Sequence, residues 1–99
     1  MANRDAIHSP ISPDAMPRLP RGVRLAYNEA QGGWVLLAPE RIFKADAIAA
    51  EILTRCTGEA TFATIVDALA AKFDAPRDLI ERDAARLLHT LAEKRLLEL

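Results

Sequence analysis

Val23-Arg24-Leu25-Ala26-Tyr27, Trp34-Val35-Leu36-Leu37-Ala38 and Arg41-Ile42-Phe43-Lys44 follow one another closely between Arg21 and Leu53. The first run alternates apolar and polar residues, as a strand with one buried face does. Gln31-Gly32-Gly33 reads as a hairpin turn, because glycine reaches positive φ without steric cost. The second run is apolar on both faces. Pro39-Glu40 turns the chain again, and the third run is short and positively charged. A small sheet of this kind, ending in a short strand that leads into a helix, leaves backbone donors and acceptors unpaired along its border.

Three helices are expected after the strands. Asp46 is placed to accept from the free N–H groups of a first turn, with Ile48, Ile52, Leu53 and Cys56 as the apolar stripe and Gly58 as the left-handed stop. Thr61 caps a second helix with the stripe Phe62, Ile65, Val66, Leu69 and Phe73. Asp74-Ala75-Pro76 breaks the chain, since proline disfavours helix in the residue before it. A third helix is expected from Arg77 to Lys94, with Ile80, Ala84, Leu87, Leu88 and Leu91 on one face. Arg95 to Leu99 forms an apolar end that packs back. The fold class is therefore α+β and winged-helix-like, a three-stranded antiparallel sheet followed by three helices.

Composition narrows the remaining choices. The 99 residues suit one domain, and 51% hydrophobic residues suffice for a small core. Residues 1–19 hold Pro10, Pro13, Pro17 and both serines without periodicity, and read as a disordered arm ahead of a domain over 20–99. The net charge of -1 gives no global attraction to nucleic acid or membrane. No apolar run approaches the roughly 20 residues of a membrane helix, and no signal-peptide pattern is visible, so the expected compartment is the cytoplasm.

The winged-helix arrangement raises a DNA-binding regulator as the alternative function. Charge opposes it: the third helix balances four bases against four acids, which neutralises phosphates poorly. The basic excess lies at the sheet, where Arg18, Arg21, Arg24, Arg41 and Lys44 face only Glu29 and Glu40, a local +3.

No catalytic constellation stands out, and an enzyme is not expected. His89 and Glu93 stand four apart on one helix, but two ligands are too few for a closed metal site. Cys56 on a helix stripe reads as a buried, inert thiol. Asp83 reads as a local partner of Arg86, and Trp34 as a core anchor. No cofactor is implied.

Pro20-Arg21, Gly32-Gly33, Leu36-Leu37-Ala38-Pro39-Glu40-Arg41, Ile52-Leu53, Gly58 and Ile80-Glu81-Arg82-Asp83 occur in an order that resembles the PqqD family of pyrroloquinoline quinone biosynthesis. The likeness spans nearly all of Pro20 to Leu97. It implies a peptide chaperone that binds the ribosomally made precursor peptide and presents it to a radical S-adenosylmethionine enzyme, which crosslinks a glutamate to a tyrosine in that peptide. It also implies that the peptide adds as a strand beside the third strand, against the third helix, as in leader-peptide recognition elements.

On that reading Arg41, Ile42, Phe43, Lys44 and Ala45 form the receiving edge. Arg41, Phe43 and Ala45 share one face, and Ile42 and Lys44 the other. Leu87, Leu88 and Leu91 lie near the floor of the groove, and Arg82, Arg86 and His89 line its rim. The expected partners are the precursor peptide and the pathway's radical enzyme, with strand exchange also permitting a homodimer.

Overall fold

The computed structural model describes residues 11–99. Three strands, β1 (Arg24–Asn28), β2 (Gly33–Ala38) and β3 (Arg41–Ala45), precede three helices, α1 (Ala47–Thr54), α2 (Phe62–Phe73) and α3 (Arg77–Glu93). The sheet is antiparallel with order β1-β2-β3, pairing Leu25 with Leu36 and Leu36 with Phe43 at its centre. The winged-helix-like class read from the hydrophobic pattern is the observed one.

Local chemistry sets the helix starts. Asp46 Oδ1 accepts from Ala49 N at 2.7 Å, and Thr61 Oγ1 accepts from Thr64 N at 3.2 Å. Asp74 ends α2 in the left-handed region at φ 50°, one of the few residue types that tolerate it, and Pro76 opens α3. The core is built from Leu36 of β2, Ile52 and Leu53 of α1, Phe62, Ile65, Val66 and Leu69 of α2, and Ala84, Leu88 and Leu91 of α3. Leu96 and Leu97 fold back onto it, as the apolar end suggests.

Three expectations need correction. The arm expected to be disordered through residue 19 is packed over its described part. Ile11 is buried in the core, Pro17 is fully buried, and Ala15 and Leu19 pack against it. Its carbonyls meet the free N–H groups at the start of α2: Phe62 N donates to Ala15 O at 2.7 Å and Ala63 N to Pro13 O at 3.1 Å. Arg18 and Glu98 exchange both backbone bonds, each at 2.9 Å. The packed unit therefore begins before Pro20; residues 1–10 of the expected arm lie outside the described residues.

Gly58, second, does not stop α1, which ends at Thr54. It sits at φ 85° where its N–H donates to Pro17 O at 2.9 Å, and a Cβ there would come within 3.2 Å of the Arg18 side chain. Its service is close approach to the N-terminal segment. Third, Ile48 and Phe73, expected on core stripes, are 56% and 38% exposed.

Candidate functional site

Among the described residues β3 pairs with β2 alone, so one of its edges is open. Pro39-Glu40 joins Ala38 to Arg41 as a two-residue turn, with Glu40 at φ 61°. In such a hairpin the closing pair exchanges both backbone bonds, and bonded and non-bonded pairs then alternate. Arg41, Phe43 and Ala45 thus spend their backbone groups on β2. Ile42 and Lys44 turn theirs outward.

Side chains alternate in the opposite sense. Directly paired residues share a face, so Arg41, Phe43 and Ala45 lie with Ala38, Leu36 and Trp34, as expected. Phe43 is half-buried against the core and Ala45 is buried. Ile42 and Lys44 occupy the other face, both exposed. At the far end of the sheet Trp34, 38% exposed, meets Tyr27 edge-to-face with ring centroids 5.3 Å apart. It is therefore a partly exposed aromatic rather than a sealed core anchor.

A side-chain bond ties this border to α3. Arg41 Nη2 donates to the Lys94 carbonyl at 2.7 Å, at the point where α3 ends. The Arg41 guanidinium thereby serves a helix terminus whose last turn holds no base of its own.

The expected groove residues of α3 separate into three groups. Leu87 is half-buried at the margin of the core. Leu88 and Leu91, expected near the floor of the groove, are fully buried and offer no surface to a ligand. Arg82, Arg86 and His89, four and then three residues apart, share one face of α3 turned away from Leu88 and Leu91, with Arg82 and Arg86 exposed and His89 half-buried. The expected Asp83–Arg86 pair does not form. The bond from Arg41 to the Lys94 carbonyl is what joins β3 to the end of α3.

Sequence reasoning missed an apolar pocket of about 230 Å³ where α1, α2 and α3 converge. Ile48 and Ile52, Phe73, and Leu79 and Ile80 line it, with Asp83 at its side. The bases nearby are already paired. Lys72 reaches Glu51 at 3.2 Å, and Arg77 bonds Asp67 and Glu81. Bonds from Arg55 and then Lys72 hold the Glu51 carboxyl below its ordinary range, and the Asp67 bond raises the Arg77 guanidinium above its own. A signal was present: two stripes that run to the meeting ends of their helices, α1 at its start and α2 at its finish.

Cys56 is buried, its Sγ donating to Ile52 O at 3.3 Å, and burial pushes the thiol up to about 12. No group of three potential metal ligands occurs among the described residues. The site offers an extended border, a few apolar contacts and a pocket, which is equipment for holding a chain.

Known proteins resemble this chain in sequence and fold. The family model of coenzyme PQQ synthesis protein D covers residues 33–97. A PqqA binding protein of Bradyrhizobium diazoefficiens is 44% identical over 88% of this chain and 84% of its own length. One from Xanthomonas oryzae pv. oryzae is 47% identical over 92% and 99%. The solution structure of the PqqD truncation of Methylobacterium extorquens PqqCD, described as a functional, stand-alone recognition element for ribosomally synthesised and modified peptides, superposes with a TM-score of 0.73. It shares 41% identity and covers 90% of this chain and 100% of that one. The crystal structure of PqqD from Xanthomonas campestris gives 0.58 at 47% identity, over 90% and 99%.

Proposed function

The chain belongs to the coenzyme PQQ synthesis protein D family, and from that membership we propose that it is the peptide chaperone of pyrroloquinoline quinone biosynthesis. It binds the ribosomally made PqqA precursor by adding it as a strand to β3, and presents it to the radical S-adenosylmethionine enzyme of the same pathway. The chain supplies binding, and the enzyme supplies the crosslinking chemistry. Its place is the cytoplasm, where the precursor is made; no described helix is long and apolar enough to cross a membrane.

One observation carries this reading: Ile42 and Lys44 present their backbone groups at an open border beside α3. Each bond made there contributes about 0.5–1.5 kcal/mol net. Phe43 and Leu87, half-buried at the margin of the core, supply apolar contact. Lys44 and Arg86 act at longer range, through encounter rate and salt dependence more than affinity. A homodimer by strand exchange would compete for the same β3 donors, so peptide and second copy exclude each other there.

Lys44→Pro tests the border. Proline removes the outward N–H while leaving the ladder to β2, which uses Arg41, Phe43 and Ala45; an edge strand tolerates it on that side. We expect the variant to fold with near-native stability and to lose at least about tenfold in affinity for labelled PqqA peptide. Native affinity in the folded variant would remove strand addition at β3.

A further inference from the structure

We propose that the apolar pocket between α1, α2 and α3 is a second subsite for the same bound peptide, taking an apolar side chain whose neighbour in the peptide is basic. This rests on the strand-addition reading and extends it beyond the end of β3.

The pocket continues the groove on both walls. On one wall β3 ends at Ala45, and Ile48, whose side chain lines the pocket, follows within the first turn of α1. On the other, Leu87 stands four residues from Asp83 and seven from Ile80, spacings that put all three on one side of α3. An extended chain paired with β3 between these walls is led to the pocket when it continues past Ala45.

The lining decides what enters. Ile48 and Leu79 are 56% and 40% exposed, large apolar surface that water covers unless something else does. A cavity near 150 Å³ lined by aliphatic and aromatic groups accepts benzene, so about 230 Å³ has room for one aliphatic or aromatic side chain. Asp83 is the one charged group in the lining, and the exposed Asp74 follows Phe73 directly. The neighbouring cations Lys72 and Arg77 are bonded to Glu51, Asp67 and Glu81, and among the described residues Asp83 forms no ion pair. A basic residue beside the buried side chain provides one.

The experiment titrates labelled PqqA peptide into the full chain, into Ile48→Gln/Leu79→Gln, into Asp83→Asn and into Lys44→Pro. The substituted pocket residues are exposed enough for folding to survive, which circular dichroism checks. We expect the double variant to lose about tenfold or more in affinity. Asp83→Asn should lose about two- to fivefold, less at high salt. Wild-type affinity in the pocket variants, with binding lost in Lys44→Pro, overturns the subsite and leaves strand addition standing. Wild-type affinity in all of them overturns strand addition as well. A pocket variant that changes the particle mass by light scattering, with affinity unchanged, assigns the pocket to a second copy and overturns the proposal.

Discussion

Cys56 shows how one side chain links the core to solution conditions. Its thiol is buried on the α1 stripe, and burial raises its titration to about 12. An open chain releases that proton near about 8.5. Below about pH 8.5 both states keep the proton, and this group adds no pH dependence. Between about 8.5 and 12 the unfolded chain loses the proton while the folded one keeps it, so stability falls as pH rises, by at most about 1.4 kcal/mol per pH unit. Denaturant titrations of the wild type and Cys56→Ala from neutral pH to pH 10 should diverge above about 8.5, the wild type falling more steeply. Parallel curves would show that the folded thiol ionises like a free one. The sequence revealed this residue well, because a lone cysteine on a helical stripe is usually buried.

At the scale of elements, legibility depended on whether the deciding contact was local. The strands, both helix-capping side chains and the break at Asp74-Ala75-Pro76 follow from neighbours a few residues away, and the pattern of residues exposes them. The face of α3 does not work that way. A stripe of leucines says which side is apolar, and only the packed molecule says that Leu88 and Leu91 are core while Leu87 is margin. Ile48 and Phe73 escaped for the same reason: each stripe outruns the partner that covers it. The tie between β3 and α3 is equally non-local. Arg41 satisfies a carbonyl at the α3 terminus that no base within the helix serves. Its loss removes an exposed charge-assisted bond and a favourable interaction with the helix dipole, together about 1 kcal/mol. Arg41→Ala should lower unfolding stability by about that amount and speed amide exchange in the last turn of α3, with Arg41→Lys between the two. Unchanged exchange at Lys94 and Arg95 would show that the bond does not hold the helix end.

The whole molecule is closed by its N-terminal segment. Proline-rich composition argued for disorder, since such a stretch buries little of its own. The fold uses it as a strip of acceptors. Pro13, Ala15 and Pro17 offer carbonyls to Ala63, Phe62 and Gly58, and the missing N–H groups of the prolines leave no donor unmet. Arg18 and Glu98 then join the two ends of the described chain, with their side chains paired at 2.6 Å. A domain of this length has about 5–15 kcal/mol of net stability, so one anchor in the strip matters. Ile11, 5% exposed, is that anchor. Ile11→Ala should cost about 2–5 kcal/mol, enough to bring some molecules near unfolding, and should speed amide exchange at Phe62 and Ala63 as their acceptors drift away. The same variant should bind peptide normally when folded, because the strip packs at the start of α2 and the border lies at β3. A loss below about 0.5 kcal/mol would mean that α2 and the C-terminal residues close the core without the strip.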